Sequence, residues 1–132
     1  MQRRRVLSSL GACLGASGLS GVAGSAWAQA AAGASAFVLG QSAPLTGPSA
    51  QLGLQFNLGA QLHFDQVNAA GGVNGRRIEL RRLDDGYEPD RCAANTRQFI
   101  SEGVFALFGY VGTPTSLAAL PLATEAKTPF FA

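Results

Sequence analysis

Five consecutive apolar residues, Val104-Phe105-Ala106-Leu107-Phe108, stand between Gly103 and Gly109 and constrain the fold more than any other segment. A strand with no polar side has to be covered on both faces, which is the position of a central strand in a sheet flanked by helices. Its surroundings agree. Upstream, Pro89 suits the first position of a helix, Asp90 suits its first turn, Cys92, Thr96, Phe99 and Ile100 share one face, and Gly103 ends it. Downstream, Thr113-Pro114-Thr115-Ser116 reads as a helix start, with Thr113 as cap and Pro114 in the first turn, and the helix runs to about Ala126.

The rest of the chain has the same alternation. Phe37 to Gly40 is a short buried strand, and Pro44, Gly47 and Pro48 mark a loop. From Leu52 to Asn68 the apolar residues fall at every second position up to Phe64, a strand-like period. A strand that long would far exceed the usual span of roughly 3–10 residues. Its residues are not β-branched, and Gly71-Gly72 stands where a helix C-cap belongs. The segment is therefore expected to be a helix, apolar on more than one side and covered on both. Val73-Asn74-Gly75 signals a turn. Arg77 to Leu83 alternates, with Ile78, Leu80 and Leu83 inward and Glu79, Arg81 and Arg82 outward, as on an edge or partly exposed strand. Thr128 to Ala132 starts another strand. The order βαβαβαβ predicts an α/β fold, a parallel open sheet with flanking helices and right-handed crossovers. Because the chain stops inside an apolar strand, it is read as a piece of a longer frame that would be aggregation-prone or molten if expressed alone.

Residues 1–28 read as an export signal. Arg3-Arg4-Arg5 is the positive region, a weakly apolar Gly/Ser/Ala-rich stretch follows, and Ala26-Trp27-Ala28 is an A-x-A cleavage site. Too many of these residues are Gly or Ser for a bilayer span. The arginines resemble a twin-arginine signal, and that route and the general secretory one both stay open. Leu10-Gly11-Ala12-Cys13 resembles a lipoprotein box, but the apolar run before it is short. Residues 29–35 are a small-residue linker, and residues 36–132 are the folded part. Without Arg3, Arg4 and Arg5 the chain keeps seven basic against eight acidic residues, so a nucleic-acid surface is not expected. Two cysteines and one histidine make a zinc site improbable.

Catalytic signatures are missing from the sequence. His63 has no Ser, Cys or Asp partner at a recognisable spacing and reads as a partly buried helix residue. Cys92 reads as a buried, inert thiol. Gly109 to Thr113 lacks the spacing and lysine of a phosphate loop. Asp84-Asp85 could hold Mg²⁺ at a strand end, but a solvated loop balancing Arg81 and Arg82 is the preferred account. Neither an enzyme activity, a cofactor nor a metal is expected. Thr113 is the best site candidate. It lies between a central strand and a helix start, where backbone N–H groups such as those of Thr115 and Ser116 would bind a carboxylate. That its hydroxyl merely caps its own helix is an equally good account.

The loop Ser42-Ala43-Pro44-Leu45-Thr46-Gly47-Pro48 resembles the opening of type I periplasmic binding proteins, the Leu/Ile/Val-binding group. Asn68-Ala69-Ala70-Gly71-Gly72-Val73-Asn74-Gly75 is similar to that family's signature between first helix and second strand, Asp84-Asp85 with Glu88-Pro89 to its acidic loop, and Gly109 to its third strand end. The resemblance implies a two-lobed solute receptor of an ABC importer, of which this chain is the first part of lobe 1. The implied partners are a small-molecule ligand, often an amino acid, and an ABC permease in the inner membrane, with the protein periplasmic. It places Thr113 where the family has a Ser that binds the ligand's carboxylate and ammonium region, and Gly112, Val111 and Leu52 near cleft-lining positions. Leu52 stands where an aromatic often packs on the ligand, and Tyr87 and Gly112 where some members carry a disulfide. The rivals are a ligand-sensing receptor domain of the same fold, an exported α/β enzyme and a receiver-like domain.

Overall fold

The computed structural model describes residues 36–132; the export segment 1–28 and the linker 29–35 lie outside the described residues. Strand β1 (Phe37–Ala43), helix α1 (Ala50–Ala69), strand β2 (Ile78–Asp84), helix α2 (Pro89–Ser101), strand β3 (Ala106–Phe108), helix α3 (Thr113–Glu125) and strand β4 (Phe130–Phe131) follow in that order. The strands form one parallel sheet ordered β2-β1-β3-β4. The alternation of elements therefore produces the parallel α/β sheet expected from the sequence.

The two faces of β1 separate the helices. On one face Gly40 lies against Phe99 of α2, and Ser42 accepts a hydrogen bond from Asn95 of the same helix. On the other, Gln41 accepts one from Asn57 of α1. Helices α2 and α3 thus share a face, where Cys92, Phe99, Val104, Leu107, Tyr110, Ala119 and Ala123 make the core. Small residues (Cys92, Ala119, Ala123) belong to this core, and the Cys92 thiol lies 3.4 Å from Thr115 O, so α2 and α3 approach closely.

Helix α1 corrects one expectation. It is a helix, but it is not covered on both sides: Leu52, Leu54, Phe56, Leu58 and Leu62 are 42–60% exposed, and His63 is exposed too. The buried stripe is Gly53, Asn57 and Phe64, spaced for one helical face. Gly53 is required by close approach, since a Cβ there would run into the carbonyl oxygen of Pro44. The period-two leucines pass around the helix and fall on both its flanks. The helix ends as anticipated, with Gly71 at φ 104 and the Gly72 N–H bonded to Val67 O at 2.9 Å. Asn74 and Gly75, at φ 52 and 79, form the tight turn that the Asn-Gly pair signals.

The apolar run from Val104 is central, but shorter as a strand than expected. The strand itself is Ala106–Phe108; the Phe105 N–H still bonds Val38 O at 2.8 Å, but Phe105 is 56% exposed and makes an edge-on contact with Phe37 at 4.8 Å between ring centroids. Among the described residues, no helix is long and apolar enough to cross a membrane.

Candidate functional site

Strand order places a switch between β1 and β3. The chain leaves β1 toward β2 on one side and leaves β3 toward β4 on the other, with the first crossover on the α1 face and the second on the α3 face. At such a switch the connections diverge beyond the carboxyl ends of the strands and leave a crevice, the usual ligand position in open α/β sheets. Three segments border it: Pro44–Ser49 after β1, Gly86–Glu88 beyond β2, and Gly109–Gly112 after β3. The first turns of α1 and α3 rise from two of them.

Each border is held by a polar residue. Asp84, at the end of β2, accepts hydrogen bonds from the Leu45 N–H (2.7 Å), the Thr46 N–H (3.1 Å), the Thr46 hydroxyl (2.6 Å) and the Gly86 N–H (3.0 Å), and pairs with Arg91 at 3.0 Å. Burial alone would raise its pKa, but these bonds, from Thr46, Leu45, Gly86 and Arg91, outweigh it and hold the carboxyl well below the usual range. Asp85 is fully buried, accepting from the Ser42 hydroxyl at 2.7 Å and the Tyr87 N–H at 2.8 Å. The solvated loop expected at Asp84-Asp85 is thus replaced by two structural anchors. Arg81 instead pairs with Glu79 and Glu102, and Arg82 donates to Asn57 at 2.6 Å. Among the described residues, no three His, Cys, Asp or Glu side chains cluster as a metal site.

The loop after β3 is fixed from the α1 side. Arg82 donates to Asn57 Oδ1, Asn57 Nδ2 donates to Gln41 Oε1 at 2.7 Å, and Gln41 Nε2 donates to Gly109 O at 3.0 Å. Gln41 is 0% and Asn57 4% exposed, so this relay runs through the protein interior. On the other face Thr96 donates its hydroxyl proton to Cys92 O at 2.7 Å, so Tyr110, 3.0 Å away, is the donor to Thr96. Burial pushes the Cys92 thiol up to about 11 and the Tyr110 phenol higher still. Cys92 donates weakly to Thr115 O at 3.4 Å and is inert by position.

Helix α3 begins one residue earlier than expected. Gly112 is its N-cap, at φ 103, and Thr113 is its first residue, so Thr113 does not cap the helix and Pro114 is not its opening residue. No side chain caps the helix; the Thr115 hydroxyl instead bonds back to Val111 O at 2.7 Å and Gly112 O at 2.8 Å. The Ser116 N–H, expected to be free, is bonded to Gly112 O at 3.0 Å. Thr115 is 0% exposed, so its N–H faces no ligand, while the Thr113 N–H and the exposed Thr113 hydroxyl have no partner among the described residues. These are the donors that a helix N-terminus offers an anion.

The predicted residues are distributed unevenly around this turn. Thr113 and Gly112 border one shallow depression together with Tyr110, Ser116 and Leu117. Val111 is 7% exposed and does not border that depression. Leu52 is 60% exposed, one helical turn before Phe56, whose ring lies against Gly109; it does not border that depression. Two contributors escaped the sequence: Gln41 and Asn57. A polar residue continuing a buried strand was the available signal for Gln41. Asn57 was hidden in the misleading period of α1. Tyr87 and Gly112, which the resemblance set where some family members carry a disulfide, do meet: the Tyr87 ring lies against Gly112.

Known proteins share this arrangement. The sequence profile of the family described as periplasmic binding protein matches residues 36–132. The chain is 31% identical over 102 residues to Leu/Ile/Val-binding protein homolog 1 of Brucella abortus, covering 77% of this chain and 26% of that one. A solved structure of a possible leucine/isoleucine/valine-binding protein from Rhodopirellula baltica superposes with TM-score 0.71 at 39% identity, covering 74% of this chain and 27% of the other. The branched-chain amino acid transporter substrate binding protein LivJ from Streptococcus pneumoniae, in complex with isoleucine, gives TM-score 0.69 at 31% identity, covering 72% and 28%. The chain therefore spans about a quarter of the length of the curated relatives it matches. Its strand order, its switch-point crevice and this match across all described residues agree: the chain belongs to the type I periplasmic binding protein family.

Proposed function

We propose that residues 36–132 form the first part of the N-terminal lobe of a two-lobed receptor that captures small carboxylate solutes of the amino-acid kind for an ABC importer. One observation carries this reading: the first turn of α3 opens at the switch-point crevice with the Thr113 hydroxyl exposed and the Thr113 N–H unpaired. A ligand carboxylate at that turn gains charge-assisted hydrogen bonds and the favourable end of the helix dipole. Gly112 and the backbone of Val111 lie beside it, and Leu52 contributes an apolar surface at the crevice rim. The second lobe closes on the same ligand, and the closed form is what a permease in the inner membrane distinguishes. Export through residues 1–28 places the receptor in the periplasm. The family membership and the leucine-type relatives support the ligand class.

Isothermal titration of the full-length protein with leucine, isoleucine, their carboxamides and aromatic acids tests this. A carboxylate ligand binds and its carboxamide binds more weakly. Thr113→Ala weakens the carboxylate ligand by ~1–3 kcal/mol, the value of a hydrogen bond to a charged group. Equal affinity of Thr113→Ala and wild type would remove the Thr113 side chain from the site.

A further inference from the structure

The turn after β2 carries a strained aromatic residue. Tyr87 sits at φ 70, a left-handed conformation that a bulky side chain seldom enters. It persists because its N–H donates to Asp85 Oδ1 at 2.8 Å. The other oxygen of that carboxylate takes the Ser42 hydroxyl at 2.7 Å, and Ser42 takes the Asn95 amide at 3.0 Å. Asp85 and Ser42 are both 0% exposed, so the peptide of Tyr87 is tied to the protein interior. Its ring is thereby directed onto Gly112. A Cβ on Gly112 would lie 2.5 Å from Tyr87 Cε2, 2.8 Å from Cζ and 2.9 Å from the hydroxyl oxygen. Gly112 in turn carries the first two bonds of α3, accepting from the Ser116 N–H and the Thr115 hydroxyl.

We propose that Tyr87 is a positioning residue of the α3 turn: its ring, held by buried Asp85, presses the Gly112 peptide into the orientation that aims the Thr113 N–H into the crevice beside the exposed Thr113 hydroxyl. The consequence for ligand affinity rests on the solute-binding reading above; the mechanical part does not. Strain at a functional site that the interior over-determines is the expected arrangement for such preorganisation.

Two variants of the full-length protein separate the roles. Tyr87→Gly removes the ring and leaves a residue suited to φ 70, so the fold is retained. Tyr87→Phe keeps the ring. Amide hydrogen exchange at Ser116 reads the turn, and exchange at Leu107, whose N–H is bonded to Pro129 O inside the sheet, reads global stability. In Tyr87→Gly, Ser116 exchanges about tenfold faster or more while Leu107 is unchanged, and the affinity for leucine or isoleucine falls about tenfold. Tyr87→Phe matches wild type in both. Equal Ser116 exchange in wild type and Tyr87→Gly overturns the proposal, as does equal acceleration at Leu107, which marks a merely structural residue. Unchanged amino-acid affinity in Tyr87→Gly beside a loosened turn overturns it as well. A loosened turn in a protein whose wild type binds no amino acid upholds the positioning role and refutes the solute-binding reading instead.

Discussion

Gln41→Leu is the perturbation whose cost follows most directly from the geometry. Gln41 is fully buried, so leucine of similar volume fits without opening a cavity. Two groups lose their partner: the Asn57 amide, bonded at 2.7 Å, and the Gly109 carbonyl, bonded at 3.0 Å. Each buried orphan costs about 1–3 kcal/mol, and the added apolar burial returns part of that, about 1–2 kcal/mol. With the central values of these terms the net loss is about 2.5 kcal/mol, read by urea denaturation followed by circular dichroism of the full-length protein. The double variant Gln41→Leu, Asn57→Leu is expected to lose less than the two single losses added together. Asn57 no longer presents an orphaned amide, and Arg82, exposed to water, replaces its lost acceptor with solvent. The coupling should reach at least about 1 kcal/mol, as for directly bonded neighbours. Additive single losses, or a Gln41→Leu cost under about 0.5 kcal/mol, would refute the claim that the relay is a connected buried unit.

Two pH profiles follow from the buried groups. The Asp84 carboxyl has a folded pKa below its ordinary 3.8, so its contribution is fully present above that value and is lost as acid carries the protein down through the folded pKa; Asp84→Asn should flatten the acid limb of stability against pH, and an unchanged limb would exclude Asp84 as its source. The Cys92 thiol is displaced the other way, from 9.0 to about 11, so the unfolded chain releases its proton first and stability falls as pH rises through that window. Tyr110 adds to the loss above its ordinary 10.0; Cys92→Ala should remove the earlier part of the fall, and a profile identical to wild type would show that the thiol is not buried.

Much of this was legible in residue order. The wholly apolar run before Gly109 demanded a covered strand, and the Asn74-Gly75 turn and the Gly71-Gly72 cap were set by backbone chemistry that only those residues satisfy. The first turn of α3 was located to within one residue by Pro114. The polar wiring was not legible. Asp84 and Asp85 differ by one position yet face opposite requirements, one stitching the β1 loop and the other fully buried beneath Tyr87. The period of α1 misled because its leucines lie on both flanks, while its buried face is built from a glycine, an asparagine and a phenylalanine chosen for fit to Pro44, Gln41 and Phe108.

Local chemistry and periodicity therefore determined the elements, their order and the parallel sheet, because each depends on residues adjacent in the chain. Which side chains meet at the crevice was decided by tertiary structure alone. Gln41, Asn57 and Gly109, like Tyr87 and Gly112, are brought together only when β1 lies between β2 and β3. Contacts across such separations follow from strand order and register, and no local pattern encodes them.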